Sequence, residues 1–194
     1  MKLRLATLAA AVAAAGLVSA AEHPRGTATA NVGGKKVSID YGRPVLAGRS
    51  IDELTSKLPE DRMWRAGENQ VTILNTEGDI MLGSKKVPAG KYSVYVHAPA
   101  TGDWSLALNS DQGIALGKIW SAAPDNVKNE PWPRLDGYSK NIATTEVARA
   151  PMKPGKSTAP VDNFTIDLKP KGDAATMVMS WGDRTWSLDV TPAK

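Results

Sequence analysis

Two short segments gather the residue types that do chemistry. The first runs Asp40-Tyr41-Gly42-Arg43-Pro44 and on to Gly48-Arg49; the second is Met63-Trp64-Arg65-Ala66-Gly67-Glu68-Asn69-Gln70. Guanidinium groups offer planar, bidentate forks, so Arg43, Arg49 and Arg65 can converge on a carboxylate, phosphate or sulfate. The same arginines can instead pair with Asp40, Asp52, Asp61 or Glu68 and tie a long loop to its scaffold. Pro44 biases Arg43 toward extended backbone, and Gly42, Gly48 and Gly67 point to tight turns or close backbone approaches. The expected ligand-binding set is Tyr41, Arg43, Arg49, Trp64, Arg65 and Asn69.

A catalytic alternative uses Glu68 and Asp40 as acid and base, as glycoside chemistry needs two carboxylates across a cleft. The protein is then a hydrolase or isomerase, with the arginines stabilising developing negative charge. Solvated or Arg-paired carboxylates are the plainer reading of both residues. His23 and His97 are the two histidines, too few for a three-ligand metal centre without a carboxylate. The chain has no cysteine, which excludes disulfides, thiolate metal sites and Cys nucleophiles. There is no G-x-S-x-G elbow, G-x-G-x-x-G turn or P-loop, so no metal and no cofactor is expected.

The elements that position these residues read mostly as strands. Val37, Ile39 and Tyr41 alternate with Ser38 and Asp40; Tyr92, Val94 and Val96 with Ser93 and Tyr95; Trp104, Leu106 and Leu108 with Ser105 and Ala107. Phe164, Ile166 and Leu168, then Trp186, Leu188 and Val190, do the same. Each run predicts a strand with one buried and one wetter face. Gly33-Gly34 predicts a hairpin between Thr27–Val32 and Lys35–Tyr41, and Gly182-Asp183 a second between Thr176–Trp181 and Arg184–Val190. Ser50 caps an expected helix over Ile51–Leu58, with Glu53 completing the box and Pro59 stopping it. A second helical pattern spans Asp111–Ala122, and a strand is expected over Ile142–Ala150. Trp104, Trp181 and Trp186 read as core; Trp132, between Pro131 and Pro133, reads as the exposed aromatic.

The first twenty residues carry Lys2 and Arg4, an apolar run from Leu5 to Val18 and the small-residue signature Val18-Ser19-Ala20. This is the pattern of a cleavable secretory signal, too short an apolar run to span a bilayer. The expected location is periplasmic or secreted, with no stable membrane anchor after cleavage. Residues 21–194 are then one β domain, long enough to bury a core without staples. The formal charge of +4 falls by two when Lys2 and Arg4 leave with the leader. The remaining charges are interspersed, which leaves no footprint for nucleic acid.

With these segments in hand, the chain resembles the bacterial family catalogued as domain of unknown function 2911. The resemblance rests on Asp40-Tyr41-x-Arg43-Pro44, Gly48-Arg49, Trp64-x-x-Gly67-x-Asn69 and Thr72, then Leu82-Gly83-x-x-x-Val87-Pro88-Ala89-Gly90-x-Tyr92-x-Val94. It continues through Asp103-Trp104, Phe164-Thr165-Ile166 and Trp181. It implies an exported β domain and no particular activity. The expectation is therefore a single antiparallel β-sandwich or jelly-roll-like domain with one short helix. Its expected role is a non-enzymatic binding module for a small anionic or carbohydrate ligand, or for an envelope partner.

Overall fold

The computed structural model describes residues 25–134 and 138–194; the expected leader and His23 lie outside the described residues. In chain order, β1 (Gly26–Val32) and β2 (Lys35–Tyr41) are followed by α1 (Ile51–Ser56) and β3 (Met63–Trp64). Next come β4 (Ile73–Thr76), β5 (Ile80–Leu82), β6 (Lys85–Val87), β7 (Gly90–His97) and β8 (Ser105–Asn109). A short ladder of β9 (Ile114–Ala115) and β10 (Pro131–Trp132) flanks α2 (Leu116–Ile119). The chain closes with α3 (Tyr138–Asn141), a 3-10 turn, β11 (Glu146–Pro151), β12 (Lys153–Lys171) and β13 (Ala174–Pro192).

The fold is mainly β, and its strand pairs are antiparallel. One sheet has the order β1-β2-β4-β7-β8-β11, with β3 paired to β7 beyond the end of β4; the other has the order β12-β13-β5-β6. Strand β1 packs on β12 and β13, and β11 on β5 and β6. The sheets thus face one another in a sandwich-like arrangement around a core that includes Ile39, Val94, Leu106, Phe164, Trp181 and Val190.

Local chemistry explains several elements. Gly33 and Gly34 both take positive φ, 57° and 73°, as a type I′ hairpin turn requires. Ser50 caps α1 by accepting the Glu53 amide at 3.1 Å, although the helix stops at Ser56, short of Leu58. Beyond α1, the helical pattern over Asp111–Ala122 yields only one turn, α2, because β9 pairing with β10 claims Ile114 and Ala115. The strand expected from Ile142 starts at Glu146, since Ala143–Thr145 form the 3-10 turn.

Two expectations fail for long-range reasons. Gly182-Asp183 is not a hairpin: β13 runs unbroken through it, and the chain turns at Gly172-Asp173 instead. Gly182 has φ 58° and sits opposite Val161, where the register of β12 shifts twice between Lys156 and Thr165. It is a bulge position, which a left-handed glycine serves as well as it serves a turn. Likewise β7 and β8 do not have a wet face. Ser93, Tyr95 and Ala107 are buried because α3 and the 3-10 turn cover the outer side, packing Tyr138 and Ile142 on Met63, Tyr95 and Ala107. Asn109 donates to the Ile142 carbonyl at 2.7 Å, and the Tyr138 hydroxyl donates to Glu146, itself clamped by Arg149.

At Gly182 a side chain would need the left-handed conformation and would meet Ile51 Cδ1 and Leu46 Cδ1 at 3.3 Å. Replacing Gly182 with Val is therefore expected to lower urea-unfolding stability by roughly 1–3 kcal/mol. An unchanged midpoint would mean the bulge tolerates ordinary backbone.

Candidate functional site

Between β2 and β4 runs an excursion of thirty-odd residues that rejoins the large sheet at β3, and both chemistry-bearing segments lie on it apart from Asp40 and Tyr41, which end β2. It begins with a backbone-on-backbone contact. A Cβ on Gly42 would stand 2.1 Å from the Glu68 carbonyl oxygen, and one on Gly67 would stand 3.0 Å from the Gly42 oxygen. Position 42 admits only glycine at such an approach, and a side chain at 67 would be crowded, so the two segments are laid directly on one another. Thr72 secures the junction by donating to the Ala66 carbonyl at 2.9 Å.

The excursion is also docked on the β12 bulge. Pro44 accepts the Phe164 amide at 2.9 Å, Asp162 accepts the Leu46 amide at 3.0 Å, and Val45 bridges Asn163. Four non-glycine residues of the described chain have positive φ: Ala47, Arg62, Ala66 and Asn69, at 49° to 57°. All four lie on this excursion. Backbone held in that region costs about 1–2 kcal/mol per ordinary residue, so the surrounding contacts must hold it in place.

The cavity that results has a volume of about 390 Å³. Trp64, Trp104 and Trp181 line it together with the apolar side of α1 and the turn after it, Leu54, Leu58 and Pro59. Trp64 stacks on Trp181 with centroids 5.3 Å apart and planes within 10°, and it meets Phe164 edge-on at 4.9 Å. Trp104 stacks on Trp186 at 4.2 Å. These rings are thereby fixed before any ligand arrives. The charged lining is Arg49, Lys57, Arg65 and Glu68.

Arg49 donates from Nε to the Leu46 carbonyl at 2.8 Å and from Nη2 to Val45 at 2.7 Å. The guanidinium is oriented by neutral acceptors and keeps its full charge for the cleft. Arg65 is half-buried, and desolvation lowers its pKa, with nearby Glu68 and Tyr95 acting the other way. An arginine nonetheless stays protonated, so its charge is held in a poorly solvated place. Glu68 sits beside it with Oε1 buried.

The structure divides the expected ligand set. Arg49, Trp64 and Arg65 meet at the cleft, with Glu68; Tyr41, Arg43 and Asn69 are not part of its lining. The Tyr41 hydroxyl is buried and donates to the Ile166 carbonyl at 3.2 Å, with burial pushing its pKa up. Arg43 reaches the Phe164 carbonyl at 3.4 Å and the Thr165 hydroxyl at 3.3 Å, fastening the excursion to β12. Asn69 supplies a left-handed turn. Asp40 is exposed and ion-paired with Arg25, which also reaches the Val71 carbonyl. The two carboxylates of the acid/base alternative are thus not both on the cleft.

Trp104, Trp181 and Lys57 are cleft residues that the sequence reading did not assign. Trp104 is half-buried rather than core, and the exposed tryptophan is Trp120, at 50%, whereas Trp132 has a buried Nε1. His97 is held below its usual pKa by burial and by Arg149. Among the described residues no three His, Cys, Asp or Glu side chains come together as a metal site.

A family model described as Protein of unknown function (DUF2911) matches residues 23–190. The chain belongs to this family. No curated protein and no solved structure matches it. The DUF2911 match spans the excursion, both sheets and every cleft residue.

Because Arg49 is bound to carbonyls at an exposed rim and, among the described residues, to no carboxylate, Arg49→Met is expected to unfold within about 1 kcal/mol of the wild type in urea. A loss of about 3 kcal/mol or more would mark it as the partner of a buried charge.

Proposed function

We propose that this protein is an exported, non-enzymatic binding module whose cleft takes a small anionic ligand with a flat face. The observation that carries the reading is the combination in one cleft of prepositioned indole rings with three cations, Arg49, Lys57 and Arg65, against one carboxylate, Glu68. Indole faces receive sugar rings or aromatic rings, and a guanidinium receives a carboxylate in its fork. The volume suits a ligand of one or two rings. The leader pattern in residues 1–20 supports a periplasmic or secreted location. With Asp40 paired to Arg25 away from the cleft, the lining offers Glu68 no second carboxylate among the described residues, and no acid/base chemistry is proposed.

The test is a titration read at the tryptophan indole N–H signals by NMR. The probes are glucuronate and benzoate, each beside its neutral counterpart, glucose and benzyl alcohol. At least one carboxylate is expected to move the Trp64 and Trp104 signals at millimolar concentration, more strongly than its neutral analogue. Arg49→Met is expected to weaken that binding by roughly tenfold, the effect of losing a charge-assisted hydrogen bond. A response to glucuronate alone identifies a uronic sugar, and a response to benzoate alone an aromatic acid. If neither carboxylate moves these signals beyond its neutral analogue, the reading fails.

A further inference from the structure

Trp181 and Trp186 are five residues apart on β13, and in an unbroken strand they would point to opposite faces. Both are nonetheless buried in the same core. The left-handed Gly182 between them resets the alternation, so that Met177, Met179 and Trp181 are buried before it and Trp186, Leu188 and Val190 after it. Each of the two tryptophans then carries one from across the sandwich. Trp64 lies parallel to Trp181 and Trp104 parallel to Trp186, with planes 10° and 9° apart.

Phe164 is 4.9 Å from Trp64 and 5.8 Å from Trp181, so it stands beside the first stack; a ring covering the far side of Trp64 would be much farther from Trp181. Trp64 and Trp104 are half-buried and line the cleft, and the exposure they keep is on the side that their partners leave open. The two rings are not neighbours. Trp64 is opposite Val96 on β7, Val96 is opposite Leu106 on β8, and Trp104 comes two residues before Leu106. Two strand spacings separate them, roughly 10 Å, which is more than one six-membered ring covers.

Two platforms at that spacing serve a ligand of linked rings. An indole face is electron-rich, and the C–H bonds on one face of a pyranose present positive hydrogens to it. Glu68 repels any anion that enters the cleft, but a sugar's hydroxyls can donate to its carboxylate, which an aromatic acid cannot do. We infer that the ligand of the cleft is an acidic oligosaccharide, with one sugar ring on Trp64, a later one on Trp104 and a uronate carboxylate toward Arg49. This rests on the cleft reading and narrows it to one class of ligand.

The experiment titrates the protein with galacturonate, trigalacturonate, trimannuronate and neutral cellotriose at constant ionic strength, with benzoate alongside, and follows the Trp64 and Trp104 indole N–H signals. At least one acidic trisaccharide is expected to move both signals and to bind at least roughly tenfold more tightly than galacturonate, the gain from stacking a second ring. Cellotriose is expected to bind more weakly than that trisaccharide. In Trp104→Leu the ratio of trisaccharide to monosaccharide affinity is expected to fall to about one, whereas a general loss of structure weakens both alike. Should that variant not fold, the comparison of sugars on the wild type decides. Galacturonate binding as tightly as both acidic trisaccharides, cellotriose matching them, a Trp104 signal that no sugar moves, or an unchanged ratio in Trp104→Leu overturns the inference. A response to benzoate and to none of the sugars overturns it too, yet leaves the cleft reading standing; that reading fails only when no carboxylate acts beyond its neutral analogue.

Discussion

The contact on which the site depends is one of backbone on backbone. Gly42 leaves β2 and lies against Gly67 and Glu68, at a distance that excludes a side chain on Gly42 and crowds one on Gly67. That contact sets the path of the whole excursion. With Gly42 pinned, Pro44 and Leu46 meet the β12 bulge, and α1 packs Ile51 and Leu54 on the core. With Gly67 pinned, β3 pairs with β7 and presents Trp64 to Trp181. The four strained residues on this excursion are tolerable because the two sheets, which carry the stability, hold its ends.

A second constraint is electrostatic. The arginines of the excursion are mostly satisfied by carbonyl oxygens and not by carboxylates: Arg43 by Phe164, Arg49 by Val45 and Leu46, Arg62 by Ala98. A carbonyl orients a guanidinium without cancelling its charge. The acids that might have neutralised them are engaged elsewhere. Asp52 binds Arg184, Asp40 binds Arg25, and Asp61 accepts the amides of Met63 and Ser139. Of these three arginines only Arg49 lines the cleft, where with Lys57 and the half-buried Arg65 it gives the lining more cations than carboxylates.

What depends on neighbours in sequence was legible in the sequence. The Gly33-Gly34 turn, the Ser50 cap and the inward faces of β1, β2 and the distal part of β12 follow from local conformational preference and period two. Gly42 and Gly67 read as tight turns or close approaches, and nothing local tells that they approach each other. Pairings across the sandwich were not legible. Gly182 reads identically as turn or bulge until its partner strand is known. Arg43 and Arg49 share a segment, yet one faces β12 and the other the cleft. Trp104 and Trp181 sit in alternating runs, and only the docking of α1 opposite them turns core rings into a wall. The burial of Tyr95 and Ala107 depends on Tyr138 and Ile142, some thirty or more residues away in sequence.

The most direct measurement is of Gly42→Ala, compared with wild type by urea unfolding and by amide NMR shifts. If the glycine contact builds the site, one methyl group should lower stability by roughly 1–3 kcal/mol, as forced overpacking does. The shift changes should gather at Gly67–Thr72 and at the Trp64 indole while the β12–β13 hairpin stays as it was. A variant within about 0.5 kcal/mol of wild type, with Glu68 and Trp64 undisturbed, would contradict the account.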